Sequence, residues 1–453
     1  MKKISAVILA AGAGTRMKSS LPKVMHMLSG KPLIKWVLDS VCSLKLDNIV
    51  VILGYGSEKV EKYLLSANIN NLKIVYQKDQ LGSAHALMQA RKLLKDYDGD
   101  ILVVNGDVPL VKKNTLSSLI KKNQRSGSSL TVLAAESTNP CGYGRVIRKN
   151  GFLEKIVEEK DADITEKQIN LINSGVYCFN GDLWTALLKI KPYNAKREYY
   201  VTDAVAVLKN MGKKVSVSVV KDESEVKGIN NRLELFQAES LLKDRKLKEL
   251  FESGVSILDA GNIYISYDAK IGRDTILYPG VFIDSDVSIG KNCVLKGTSY
   301  IVNSNIGDES IISYSYIDGA DIGRNVKVGP FTHIRPGSVL RNNVRIGNFS
   351  EIKKSLISEN SKINHLSYIG DAEIGECVNI GAGTITCNYD GVNKHKTLIG
   401  AKSFVGSNVN FVAPVKVGRN VLVAAGSTIT HDIPDGKLAI ARAKQELKRK
   451  MVK

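Results

Sequence analysis

Up to about residue 228 the chain alternates short, unbroken apolar runs with stretches of mixed, helix-like composition. The runs are "ISAVILA", "NIVVIL", "LKIVYQ", "DILVVNGD", "SLTVLAAE" and "INSGVYCF". Unbroken apolarity suits a strand covered by helices on both faces, so these segments predict a mostly parallel, Rossmann-like, doubly wound α/β domain over residues 1–228. The segment "NRLELFQAESLLKDRKLKELFESG" then places Leu233, Phe236, Ser240 or Leu241, Lys243 or Asp244, and Leu247 to Phe251 on an imperfect 3.6-residue period, with Gly254 as a stop. It predicts a linker helix within residues 229–254.

From residue 255 the pattern becomes Ile or Val followed by Gly, as at Ile271-Gly272, Ile289-Gly290, Ile346-Gly347, Ile399-Gly400 and Val417-Gly418. Ile271 to Ile289 and Val328 to Ile346 are steps of eighteen; Ile322 to Val328, Ile374 to Ile380 and Ile399 to Val405 are steps of six. A hexapeptide period predicts a left-handed parallel β-helix over residues 255–453, with a C-terminal tail. One small aliphatic residue in six fills a narrow bore, and three sides complete a coil that must stack on its neighbours to bury a core. Departures from the period mark slips or loops. The most conspicuous is "CNYDGVNKHK", polar, aromatic and basic.

Charge and composition narrow the choices. The 64 Lys and Arg against 45 Asp and Glu give a formal charge of +19, which favours anionic partners. The basic residues are dispersed rather than gathered in a stripe, so phosphorylated small molecules are expected and nucleic acid is not. No apolar run approaches the 18 to 20 residues that span a bilayer. Six cysteines without a C-x-x-C pair predict a reducing, cytoplasmic setting.

The opening "MKKISAVILAAGAGTRMKSSLPK" admits a secretion signal, a dinucleotide loop or a triphosphate loop. A signal needs a neutral cleavage region, yet Thr15-Arg16-Met17-Lys18 is charged. Met17 stands where G-x-G-x-x-G needs its third glycine, and the lysine of G-x-x-x-x-G-K-[ST] is missing. What remains is a loop whose glycines, Gly12 and Gly14, admit phosphate, with Arg16 and Lys23 as cations. "VVNGDVPLV" sets Asp107 at the end of a buried strand, where crevices of α/β sheets lie and where a carboxylate can hold Mg²⁺ beside a triphosphate.

In the second half, Arg335 and Lys353 are eighteen residues apart, so they are expected to stack on successive coils. Neighbouring cations repel unless they share an anion such as a sugar phosphate. His365 and Tyr368 lie close by in the repeat, and the loop adds Asn388, Tyr389 and Lys394. A three-histidine metal site from His333, His365 and His395 is not expected, because no paired ligand spacing is present.

The motifs "LAAGAGTRM…LPK", "QLGSAHA", "NGDVPL", "GYGRV", "IVEEKDA", "INSGVY" and "EVKGINNR" resemble the sugar-nucleotide pyrophosphorylase family. Followed by "HLSYIGDAEIGECVNIGAGTITCNYDG", they resemble, along essentially the whole chain, the bifunctional bacterial family that acetylates glucosamine-1-phosphate and then uridylylates it. The resemblance implies supply of UDP-N-acetylglucosamine for the cell envelope, with acetyl-CoA and UTP as co-substrates, Mg²⁺ for uridylyl transfer, and a homotrimer. It implies that Leu9, Ala10, Ala11, Gly12, Gln77, Gly82, Ser83 and Asn105 bind the nucleotide and that Arg16 and Lys23 neutralise the triphosphate. Asp107 and Asn230 would hold Mg²⁺; Gly144, Glu158 and Asn173 would read the acetylated sugar. His365 would be the general base for acetyl transfer, with Arg335, Lys353, Tyr368, Asn379 and Lys394 on the sugar phosphate. Ala382, Asn388, Tyr389, Ser407, Ala425 and Arg442 would line the coenzyme site. The chain departs from the family pattern at Ser83 and Ser174 (commonly Thr), Asn105 (often Tyr) and Ala441 (often Ser). The alternative is a single-activity pyrophosphorylase whose β-helix is structural or regulatory.

Overall fold

The opening apolar run is a strand at the heart of a sheet. In the computed structural model, which describes residues 3–149 and 151–449, β1 (Lys3–Ala10) pairs in parallel with β2 (Asn48–Leu53) on one side and with β4 (Gly99–Asn105) on the other. Beyond β2 lies β3 (Leu72–Tyr76), and beyond β4 lies β8 (Leu171–Phe179), antiparallel to β4 and to β5 (Leu130–Glu136); β9 (Val215–Val220) closes that edge in parallel with β5. A hairpin, β6 (Arg145–Lys149) with β7 (Phe152–Val157), branches from β8.

All six runs read from the sequence are strands of this sheet. The hairpin and β9 were not among them. β9 alternates Val and Ser and sits at an edge, so it lacks the double-sided burial that makes the central strands legible. Two apolar clusters, one on each face of the sheet, bury Val7, Val50 and Val103 on one side and Ile8, Val51 and Val104 on the other.

The predicted linker helix spans Arg232–Glu252, and the division of the chain into two compact units falls inside it, after Leu241. The buried stripe is Ala238, Leu242, Lys246, Leu247 and Leu250, so Leu247 faces inward as its period suggests. Leu233, Phe236 and Phe251, expected to face the core, are exposed instead. An imperfect apolar period fixes that a helix forms but leaves its rotation to the tertiary contacts.

The second unit is the left-handed parallel β-helix. Three sheets of short strands, all paired in parallel, run along it, and each coil contributes a strand to each sheet in turn. Buried aliphatic columns fill the bore: Leu277, Leu295, Ile312, Val328, Ile346, Ile363 and Ile380 on the first sheet. Ile283, Ile301, Ile317, Ile334, Ile352 and Ile369 form the second column. Ile289, Ile306, Ile322, Leu340, Ile357 and Ile374 form the third. The glycine after the third-sheet aliphatic is required by stacking: a Cβ on Gly272 would come 2.6 Å from the backbone of Gly290 in the next coil.

One corner is unusual. Tyr314, Phe331, Phe349 and Leu366 follow one another on successive coils with φ between +44° and +59°, and all four are exposed. Bulky side chains rarely adopt this left-handed conformation. Phe331 and Phe349 stack with ring centroids 5.5 Å apart.

Candidate functional sites

The carboxyl ends of β1 and β4 open onto a cavity of about 480 Å³. Leu9, Ala10, Ala11 and Gly12 enter it from the end of β1; Gln77, Gly82 and Ser83 from the turn before the helix Ser83–Met88; Asn105 and Asp107 from the end of β4; and Asn230 from the segment before the linker helix. Gly14, at φ +62°, starts a single turn over Thr15–Met17 that brings Arg16 to the rim. A Cβ on Gly14 would meet the Lys23 side chain at 2.7 Å, so the glycine allows Lys23 to approach. Gly82, at φ +112°, packs with no room for a Cβ against the Tyr199 carbonyl.

Lys23 forms a mostly buried ion pair with Asp107 and donates to Asn230 Oδ1 at 3.2 Å, while Arg16 Nη2 donates to the same oxygen at 2.8 Å. Two cations thus stand on the two oxygen ligands proposed for a metal. The donor set suits Mg²⁺, a hard ion commonly held by one or two carboxylates together with substrate phosphates. Among the described residues no cluster of three or more His, Cys, Asp or Glu forms a self-sufficient metal cage.

A second cavity of about 260 Å³ shares Leu9, Arg16, Ser83, Asn105, Asp107 and Asn230 with the first and adds Gly144, Glu158 and Asn173. Asn173 sits at an irregularity in β8, where its Nδ2 donates to the Tyr177 hydroxyl at 2.8 Å. Burial raises the pKa of Glu158, which accepts a hydrogen bond from Thr202 Oγ1 at 3.2 Å. Neighbouring Asp203 is pushed up to about 6, by burial first and then by Asp161.

Three of the four departures from the family pattern have clear neighbours. The Ser83 hydroxyl accepts from the Val201 N–H at 3.0 Å, the Ser174 hydroxyl donates to the Leu133 carbonyl at 2.7 Å, and Asn105 lies against Gly175. Sequence reasoning missed Thr202, Tyr143 and Gln80, which also line the two cavities. The signal for Thr202 was weak, a single hydroxyl in the short helical turn Val201–Asp203, far along the chain from Glu158.

On the β-helix, Asn348 and His365 are register partners on the first sheet, and His365 Nδ1 lies 2.7 Å from Asn348 Oδ1. With that oxygen as acceptor, Nδ1 carries the proton and the exposed Nε2 presents its lone pair. Asn348 was not singled out in the sequence, although its seventeen-residue step to His365 is one coil. Ala382, Ser407 and Ala425 occupy the positions equivalent to His365 on the following coils, each two residues past a buried aliphatic of the first sheet. Arg442 Nη1 donates to the Ala425 carbonyl at 2.7 Å.

Across the corner, on the second sheet, Glu351 and Tyr368 are register partners and Arg335 Nη1 is bound to Glu351 Oε1 at 2.7 Å. Lys353 has its pKa lowered, first by Lys394 beside it, then by desolvation, with Arg335 adding to the effect. Arg335 and Lys353 follow the paired positions Ile334 and Ile352, so they stack as the spacing predicts. Asn379 stands on the first sheet, in register with Lys362, and not on the sheet of Tyr368.

The loop after Cys387 is pinned by a bridge between Tyr389 and Lys394 and by His395 Nε2 to Asp390 Oδ2 at 2.7 Å. That contact and two backbone N–H groups lower Asp390 to about 2. The Asn388 amide donates to Asp371. His333, His365 and His395 each have their own neighbour, Tyr316, Asn348 and Asp390 respectively.

Fold and sites together define a two-domain transferase, with a nucleotidyltransferase first and a hexapeptide acyltransferase second. The Nucleotidyl transferase family matches residues 5–224, a GMPPB C-terminal domain matches 260–340, and the six-repeat Bacterial transferase hexapeptide matches 396–431. The bifunctional protein GlmU of Caldanaerobacter subterraneus subsp. tengcongensis is 46% identical over 98% of this chain and 96% of its own. That of Acetivibrio thermocellus is 45% identical over 99% and 97%, and that of Clostridium beijerinckii 45% over 97% and 96%. The chain belongs to the family of the bifunctional protein GlmU.

Proposed function

We propose that this chain makes UDP-N-acetylglucosamine in two steps at two separate sites. On the β-helix an acetyl group passes from acetyl-CoA to glucosamine-1-phosphate; on the α/β domain a uridylyl group passes from UTP to N-acetylglucosamine-1-phosphate, with release of pyrophosphate. The observation that carries this reading is the presence in one chain of two unlike constellations. Asp107 and Asn230 share a cleft with Arg16 and Lys23, and the β-helix carries both an Asn-oriented histidine and the Arg335, Lys353 and Lys394 cations.

For acetyl transfer, His365 Nε2 takes the proton from the sugar amine as the nitrogen attacks the thioester carbonyl, and coenzyme A leaves as the thiol. The sugar phosphate, bound by Lys353, Lys394 and Arg335, relieves their mutual repulsion, which is a reason for such a cluster to exist. Asn379, Asn388 and Tyr389 complete the reading of sugar and coenzyme, beside Ala382, Ser407, Ala425 and Arg442.

For uridylyl transfer, a phosphate oxygen of the sugar attacks the α-phosphorus of UTP in line and pyrophosphate leaves. No covalent enzyme intermediate is needed, so positioning and charge neutralisation do the catalysis. Mg²⁺ held by Asp107 and Asn230 would supply charge neutralisation at the phosphates. Arg16 and Lys23 move from those oxygens onto the triphosphate as it binds, while Gly144, Glu158 and Asn173 hold the acetylated sugar.

The chain is further proposed to act in the cytoplasm, a reading supported by its six free cysteines. It is proposed to form a homotrimer, supported by the exposed apolar corner of Tyr314, Phe331, Phe349 and Leu366 beside Asn348 and His365. A monomer mass by light scattering would overturn the trimer.

The test of the two-site reading follows coenzyme A release and pyrophosphate release on one preparation. His365→Ala is expected to lose acetyl transfer by about 10² to 10⁴-fold, the contribution of a positioned base, and to keep uridylyl transfer. Asp107→Ala is expected to do the reverse. Loss of both activities in either variant would refute two independent sites.

A further inference from the structure

We propose that Glu234, in the first turn of the linker helix, is the positioning residue that turns the Asn230 side chain so that its oxygen faces the metal. This rests on the reading of Asp107 and Asn230 as the Mg²⁺ ligands. An amide side chain has an accepting end and a donating end of nearly equal shape, so its usefulness as a metal ligand depends on what anchors the NH₂ group. Here Glu234 Oε2 accepts from Asn230 Nδ2 at 3.2 Å and from the Asn230 backbone N–H at 2.6 Å. The Gly228 carbonyl adds a long contact at 3.5 Å to the same NH₂. With that end tied, Oδ1 is left to accept from Arg16 and Lys23, where a cation belongs.

Glu234 is itself held in place. Its Oε1 accepts from Asn231 Nδ2 at 2.7 Å, and its backbone N–H donates to Asn231 Oδ1 at 2.9 Å. Asn231 therefore caps the helix, and Glu234, three residues on, occupies the place of the acid in a capping box. In an ordinary capping box that acid returns to the backbone N–H of the capping residue. Glu234 reaches one residue further back, to Asn230, and so joins the start of the helix to the metal ligand. Rotating Asn230 by half a turn would present two N–H donors to Mg²⁺ and to Lys23, an arrangement that repels both.

The experiment measures Mn²⁺ binding to the full-length protein, with UTP and without sugar phosphate so that nothing turns over, from the loss of the free Mn²⁺ resonance signal. Groups that orient a metal ligand are typically worth about 10 to 100-fold in metal affinity. Glu234→Ala is expected to weaken Mn²⁺ by about that factor and to raise the Mg²⁺ concentration needed for half-maximal uridylyl transfer more than it lowers kcat. Glu234→Gln, whose single carbonyl can take both contacts from Asn230 but which lacks the acceptor for Asn231, is expected to fall between. Asn231→Ala removes the cap and one anchor of Glu234 but keeps both contacts from Asn230, and it is expected to weaken Mn²⁺ less than Glu234→Ala does. Unchanged acetyl transfer in each variant reports an intact β-helix.

Parent-like Mn²⁺ affinity in Glu234→Ala overturns the inference. So does equal weakening in Asn231→Ala, which would reduce Glu234 to a helix cap. Asn230→Ala separates the two layers of the argument. If it weakens Mn²⁺ and Glu234→Ala does not, the inference alone fails; if Asn230→Ala binds normally, the metal-site reading fails with it.

Discussion

The two halves of the chain build their sites by opposite means. In the α/β domain the nucleotide cleft gathers residues from position 9 to position 230 with no fixed interval, because separate strand ends and loops meet at one edge of a sheet. In the β-helix, Asn348, His365, Ala382, Ser407 and Ala425 reach one corner by repeating a coil. A column of this kind is set by local repetition, whereas the cleft depends on long-range topology. Their electrostatics differ in the same sense. Glu158 in the second cavity and Asp203 beside it are acids pushed up by burial, whereas on the β-helix Lys353 is pushed down by neighbouring Lys394. In both, the shift is toward the uncharged form.

The largest effect expected to break this contrast is the reciprocal pair His365→Ala and Asp107→Ala, since coupled sites would lose both activities together. Next is Asn348→Ala. Removing the acceptor of the His365 Nδ1 proton frees the ring to rotate and to exchange tautomers, so acetyl transfer is expected to fall by less than in His365→Ala. Uridylyl transfer should be unaffected. Steady-state rates of acetyl transfer check it: the change should lie in kcat. A parent-like rate would show that the coil repeat alone orients the histidine.

The smallest expected effect concerns stability. Asp203 is raised from the ordinary carboxylate range to about 6, so the folded chain holds its proton more tightly than the unfolded chain. Its contribution to stability is therefore greatest below the unfolded value and declines as pH rises through about 6. Asp203→Asn removes this titration. The variant is expected to gain thermal stability over the parent at pH 8, and the gain should vanish near pH 4, as read by melting curves across that range. A constant difference at all pH values would place the effect outside Asp203 ionisation.

Much of this arrangement was legible because it is written locally. Continuous apolar runs marked the buried strands of the sheet, including β1 at the opening, and the Ile-Gly period marked the coils, down to the stacking of Arg335 on Lys353. The positions carried over by resemblance to the nucleotide and sugar sites all line the two adjoining cavities. Less was legible where burial is one-sided or periodicity imperfect. β9 alternates at an edge, and the linker helix turns Ala238, Leu242 and Leu250 inward in place of Leu233 and Phe236.

By itself, then, the sequence determined the two architectures, the order of their motifs and the residue types available for chemistry, because hydrophobic period and glycine placement act over a few residues. Only the tertiary structure decided the partners. It set Asn348 behind His365, Lys394 beside Lys353, Thr202 on Glu158 and Glu234 behind Asn230. The spacing of Asn348 to His365 is one coil and that of Glu234 to Asn230 one helical turn, but side-chain direction, and for Lys394 and Thr202 the meeting of distant segments, are settled only by the fold.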